Sequence, residues 1–390
     1  MNPPMHRSSP WAAIASGLLL LCSFATAVFS QETRTLTARW MLDVERGALI
    51  ENSVIVVKGN RITALGRVDE IAPQGEVTKL GEATLMPGLI DAHVHLTLGG
   101  TGKANALATL RAGFTTVQDL GALGDQNIKI RDAIRAGKFP GPRVVASGSW
   151  LGVTGGTCDF NGIGVKGADA FRERVRKDVA AGADLIKICA AGWLAEAAQK
   201  PGAYEISDEE LRAGIEEAHT LKRRVAVHAL SEHAISSAVA HGADLIAHGG
   251  FTSKETVAAM AQRRVFQLLT LASLKQSAPD AYEKLREHLA VAVREGLPVA
   301  FGTDAGVIPH GENAREFLEL AAIGLTPLEA IRAATMHAAA AVGLEESGVL
   351  KVDALADIIA VEGNPLLDLG ALQKIKFVMK EGQVIEIFPG

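Results

Sequence analysis

Leu85-Met86-Pro87-Gly88-Leu89-Ile90-Asp91-Ala92-His93-Val94-His95-Leu96 decides how the rest of the chain is read. The Pro-Gly pair breaks the backbone, and the apolar residues that follow leave it as a strand. Side chains alternate along a strand, so His93 and His95 project to one side as a pincer for a metal ion. An isolated His-x-His more often caps a sheet edge. Here four further potential ligands follow, each at the end of a strand-like run.

Outward from that stretch, short apolar runs alternate with helical ones, the pattern of parallel β/α units. The runs end near His95, Asp119, Gly148, Cys189, His228, His248, Leu271 and Asp304. Between them lie helices such as 208–221, where Ser207 and Glu210 spell a capping box. Eight runs in roughly 250 residues predict an α/β fold, a (β/α)8 TIM barrel over residues 85–345, with its chemistry at the C-terminal strand ends. The flanks read differently. Residues 31–84 hold a hairpin whose turn is Lys58-Gly59-Asn60, and 346–390 hold another around Lys380-Glu381-Gly382-Gln383. Two β segments at opposite ends most simply pair into one small composite β-sandwich, with the barrel inserted between them.

Composition sets outer bounds. Hydrophobic residues make up 48% and charged residues 21% of 390, which suits a globular chain with a large core. A formal net charge of −5 argues against nucleic acid or anionic membrane as a partner. Residues 1–30 read as a signal peptide: Arg7, an apolar run from Trp11 through Phe24, then Ala25-Thr26-Ala27 as the cleavage site. The mature protein is thus expected to be exported, periplasmic or secreted, with no membrane attachment after cleavage. Cys158 and Cys189 then remain, near the ends of adjacent strands; one disulfide and two separate buried thiols both fit.

On this scheme the candidate ligands line one barrel mouth. His93 and His95 close strand one, Lys187 strand four, His228 strand five, His248 strand six and Asp304 strand eight. Imidazoles and a carboxylate suit zinc and similar divalent ions. An ammonium would repel a cation, so Lys187 makes sense as a neutral amine that has reacted with carbon dioxide. The resulting carbamate is anionic and has two oxygens able to bridge two metals. Burial and neighbouring cations favour the neutral amine this needs.

The chain resembles the amidohydrolase superfamily, and within it the imidazolonepropionase-related branch that includes zinc-dependent Xaa-Pro dipeptidases of the prolidase type. The resemblance rests on Pro87 to His95, on Ala112-Gly113-Phe114-Thr115-Thr116-Val117 with Asp119, and on Thr154-Gly155-Gly156. It continues through Gly182 to Lys187, Thr303-Asp304-Ala305-Gly306, Pro309-His310-Gly311 and Ala356-Asp357-Ile358-Ile359. It implies two divalent metal ions, Zn2+ foremost, and N6-carboxylysine at Lys187. One metal would take His93, His95, Lys187 and Asp304, the other Lys187, His228 and His248. It further implies attack by a metal-bridged hydroxide on an amide or peptide carbonyl, with Asp304 as the catalytic proton carrier. Relatives of this kind often form homo-oligomers.

Thr157 stands where many relatives carry a histidine, and Leu230 lies near the point where some family dipeptidases carry a tyrosine that polarises the carbonyl. His310, after strand eight, is read equally as a substrate contact or a loop anchor. Trp150 and Trp193, on loops after strands three and four, would wall an apolar pocket. The substrates expected are dipeptides or N-acyl amino acids, amide-linked toxins such as ochratoxin included. A cyclic amide, imidazolone or lactone hydrolase is the alternative, and a non-catalytic binding protein on this scaffold the third reading. Lys187 argues against the second and the full ligand set against the third.

Overall fold

The structure, a computed structural model, describes residues 32–200, 202–344 and 346–387. The signal peptide read over 1–30 lies outside these residues. Among the described residues no helix is long and apolar enough to cross a membrane.

The barrel strands are Leu89–Val94, Phe114–Asp119, Arg143–Ala146, Leu185–Cys189, Arg224–His228, Leu245–His248, Phe266–Leu269 and Val299–Phe301. Each pairs in parallel with the next from strand one to strand three and from strand four to strand eight. Strand three breaks at Ser147-Gly148-Ser149 and resumes as Trp150–Leu151, which pairs with strand four. Trp150 therefore belongs to a strand extension rather than to the loop expected for it. The barrel closes where the His93 carbonyl accepts from the Thr303 and Asp304 amides at 3.2 and 2.7 Å, and Val94 bridges to Ala305.

Strands buried on both faces read as near-continuous apolar runs, as in Leu185-Ile186 and Val225-Ala226-Val227. Inside, small residues dominate below the mouth: Ala92, Ala226, Ala247 and Ala300 pack with Ile90, Leu185, Leu245 and Leu268. The short helix Ala338–Val342 packs into the same cluster. A floor of alanines leaves width for the imidazoles carried one or two residues further along the same strands. Outside, the helix Asp208–Thr220 begins with the full capping box at Ser207 and Glu210 that its sequence announced.

The flanking segments meet as expected. Hydrogen bonding joins eight strands into one sheet: Thr33–Asp43 pairs with Ala48–Lys58, Glu76–Lys79 and Ala83–Pro87, and the last of these pairs antiparallel with Ile358–Glu362 from the far end of the chain. They enclose a separate core of Leu36, Met41, Ile55, Ile62, Leu85, Ile358 and Phe377 among others. Leu85–Pro87 thus belongs to the sandwich, and the barrel proper begins after Gly88. Arg143, at the start of barrel strand three, reaches Asp357 at 2.8 Å and Glu381 at 2.6 Å. The small domain is therefore fastened to the N-terminal side of the barrel strands, away from the ends that carry the ligand cluster.

Candidate active site

All six expected ligands are buried; five stand at or close to the C-terminal ends of their strands, whereas Lys187, expected to close strand four, is the middle residue of Leu185–Cys189. Ligand atoms of His93, His95 and Asp304 lie within 4.8 Å of one another. Asp304 Oδ1 is 3.2 Å from His95 Nε2 and 3.5 Å from His93 Nε2, and its Oδ2 is 3.8 Å from His248 Nδ1. The His248 ring lies 4.5 Å, centroid to centroid, from both His93 and His228. Lys187 is buried and acts electrostatically on all of them.

Protonation follows from burial. Burial, with the Lys187 and His248 charges, holds His93 well below the usual imidazole range; burial with the His228 charge does the same for His248. Burial first, then Lys187, brings His228 down to about 4. Burial pushes the Lys187 amine down to about 7, against the pull of Asp304. His95 differs: burial opposes its charge, but the hydrogen bond and charge of Asp304 outweigh burial and raise it. Burial likewise works against Asp304, yet the His95 hydrogen bond and the His248 charge hold its carboxyl below the usual range.

These atoms fit a cation. His93 Nδ1 and Nε2 and Lys187 Nζ are buried without a hydrogen-bond partner, which costs free energy unless something else satisfies them. The surroundings also settle which nitrogens are available to an ion. His95 Nδ1–H donates to the Gly121 carbonyl at 3.0 Å, so Nε2 is the nitrogen that faces Asp304; it carries the proton of their hydrogen bond and would give that proton up to hold a cation. His228 Nε2–H donates to the Gly192 carbonyl at 3.1 Å, leaving Nδ1. Such second partners orient metal-binding imidazoles. Two of the six also hold a backbone that non-glycine residues rarely adopt, His248 at φ 82° and Asp304 at φ 58°. Strain of this kind persists where neighbours over-determine it, commonly at functional sites.

One residue that holds the site together went unread in the sequence. Asp91, wholly buried, accepts from the amides of His93 and Thr303, both at 3.1 Å, from Thr303 Oγ1 at 2.6 Å and from Asn313 Nδ2 at 2.7 Å. It latches strand one to strand eight directly beneath His93 and Asp304. The available signal was a lone acid inside an apolar strand. Asp91→Ala is expected to destabilise the metal-free protein by roughly 2–4 kcal/mol, since buried donors would lose their acceptor; urea unfolding measures it. At the end of strand two, Asp119 similarly accepts from the Leu96 amide at 2.8 Å and Asn127 Nδ2 at 2.9 Å.

The remaining candidates separate. His310 lies within hydrogen-bonding reach of Thr109 Oγ1 at 3.1 Å and donates to the His95 carbonyl at 3.2 Å, an anchoring geometry. Trp150 is buried against His95, ring centroids 5.5 Å apart. Leu230 is buried, its carbonyl accepting from the Phe251 amide. Trp193 is exposed beside His228. Cys158 and Cys189 form a disulfide that ties the loop after strand three to the end of strand four.

Known proteins share this architecture. A Xaa-Pro dipeptidase solved with methionine in its active site superposes with a TM-score of 0.84 at 27% identity, covering 91% of this chain and 100% of that one. Ochratoxinase of Aspergillus niger is 29% identical over 371 residues, spanning 78% of this chain and 76% of that protein. Imidazolonepropionase of Symbiobacterium thermophilum is 26% identical over 365 residues, 80% of this chain and 84% of that protein. The family model described as "Amidohydrolase family" matches residues 84–388, from the last sandwich strand before the barrel, through every strand end that carries the cluster, to the chain's final strands. The chain belongs to the amidohydrolase family.

Proposed function

We propose that the protein is an exported, metal-dependent hydrolase of amide or peptide C–N bonds in dipeptides or N-acyl amino acids, amide-linked toxins such as ochratoxin included. The observation that carries the reading is the buried convergence of four imidazoles, one carboxylate and one amine on a single barrel mouth. Likeness to a Xaa-Pro dipeptidase and to an ochratoxinase supports amide substrates.

His93, His95, Lys187 and Asp304 would hold one divalent ion, and Lys187, His228 and His248 a second, with Zn2+ best suited to the donor set. Bound there, the ions would supply Lewis acidity to the carbonyl and to the attacking water. Lys187 contributes as its carbamate: Nζ bonds to the carbon of carbon dioxide and loses a proton. A buried amine brought down to about 7 has a substantial share, about half at neutral pH, in the neutral form that this reaction requires. Asp304 stays ionised, so it can take a proton from water and return it to the nitrogen as the C–N bond breaks. The water oxygen remains on the acyl carbon, and a carboxylic acid and an amine leave. Gly121 and Gly192 keep His95 and His228 in the tautomers described.

Hydrolysis of a cyclic amide is the second reading, favoured by the likeness to imidazolonepropionase. The test is a library of dipeptides, N-acyl amino acids and lactams offered to the zinc-supplied mature protein. Amine release from the open-chain members, stopped by a chelator and restored by zinc, is expected. Cleavage confined to lactams would favour the second reading, and cleavage indifferent to the chelator would contradict both.

A further inference from the structure

Five large apolar side chains that the fold leaves exposed lie on the loops after barrel strands one, two, three, four and eight: Leu98, Leu123, Phe160, Trp193 and Val307. All five stand at the end of the barrel that carries the ligand cluster. Apolar side chains exposed around the mouth of a site offer contact area to what enters it.

Two of the five are aromatic and connect to the cluster through ring contacts. Trp193 is 58% exposed, and its ring stands edge-on to His228 at 5.8 Å. Phe160, 38% exposed, on the neighbouring loop, packs edge-on against Trp150 at 4.8 Å, and Trp150 in turn reaches His95. Both rings stand on fastened backbone. Phe160 follows the Cys158–Cys189 disulfide by two residues. Its loop is further held where Glu205 accepts from Thr157 at 2.8 and 2.6 Å and Asp159 accepts from the Gly155 and Gly164 amides. The carbonyl of Gly192, next to Trp193, accepts from His228. Rings presented rigidly lose little entropy when a ligand settles on them. The chemistry proposed above uses neither ring.

We propose that Trp193 and Phe160 are specificity-determining residues that grip an aromatic or large apolar group flanking the scissile bond. Substrates of phenylalanine-like bulk are then preferred over their alanine-like counterparts. The inference rests on the reading of this mouth as the amide-hydrolysing site. Aromatic contact adds to simple burial of the ring, so a preference of about tenfold or more is expected.

Two pairs of compounds differing by one phenyl ring test it on the zinc-supplied mature chain. The first pair, 3-phenylpropionate and propionate, has no amide to cleave, and its binding is read by calorimetry. The second pair, N-acetyl-L-phenylalanine and N-acetyl-L-alanine, is read by amine release. The wild type is expected to favour the phenyl member of each pair about tenfold. Trp193→Ala should bring the binding preference to within about twofold, and Trp193→Phe should keep most of it. In hydrolysis the loss should fall on KM with kcat nearly unchanged, the mark of a uniform binding contact. Equal binding of 3-phenylpropionate and propionate by the wild type would overturn the inference. So would a preference that survives both Trp193→Ala and Phe160→Ala. Ring-selective binding that Trp193→Ala removes, with no hydrolysis of either acyl amino acid, would sustain the inference and count against the amide reading instead.

Discussion

Asp304→Asn is expected to lower kcat roughly a thousandfold while leaving the fold intact, because the side chain keeps its shape but loses its ability to carry a proton and its negative charge toward the ion it would hold. The carboxylate lies 3.2 Å from His95 and 3.5 Å from His93 and is held ionised by its neighbours. An amide in its place can still approach the imidazoles but accepts no proton from water and delivers none to a leaving nitrogen. Its backbone at φ 58° suits asparagine as well as aspartate, so the unusual conformation survives the change. The measurement is steady-state hydrolysis of a cleaved dipeptide or N-acyl amino acid beside thermal unfolding. An unchanged kcat would remove Asp304 from the proton path.

Lys187→Met is expected to abolish hydrolysis and to reduce bound metal from two ions per chain to one or none, without loss of stability in the metal-free state. The two effects have opposite physical origins. Lys187 is buried with Nζ unpartnered, so an apolar side chain of similar length relieves an unsatisfied polar group. The same change removes the one nitrogen that can become a carbamate and serve both ions. Metal analysis and urea unfolding of the same preparation separate the two. A variant that kept both ions would show that Lys187 does not bridge them.

The barrel was legible because its strands are buried on both faces and end in chemically distinctive residues. Cys189, His228 and His248 each terminate a strand at the residue where the sequence ended it. The His-x-His pincer, Lys187 and Asp304 were visible for the same reason: such groups rarely lie in or end apolar runs without a role. The sandwich was legible from paired hairpins, although Leu85–Pro87 turned out to belong to it. Sequence adjacency to His93 hid that strand's pairing with Ile358–Glu362, more than 270 residues away.

Other features depend on distances that no local pattern encodes. The break in strand three at Gly148 places Trp150 back in the sheet, buried, where a loop position was expected. Asp91 looks like an interruption in an apolar run until Thr303 and Asn313, more than 200 residues later, are seen to donate to it. The Cys158–Cys189 pairing was open between bridge and thiols because loop conformation decides it. For His310, proximity to Thr109 and the His95 carbonyl describes an anchor between strand ends.

The most direct test of the central claim is metal counted per chain, by mass spectrometry of the purified protein, along a titration that restores zinc to the stripped enzyme while hydrolysis is followed. Activity should rise with bound zinc and level off at two ions per chain. Full activity at fewer than one ion per chain would contradict a metal-dependent amidohydrolase built on His93, His95, Lys187, His228, His248 and Asp304.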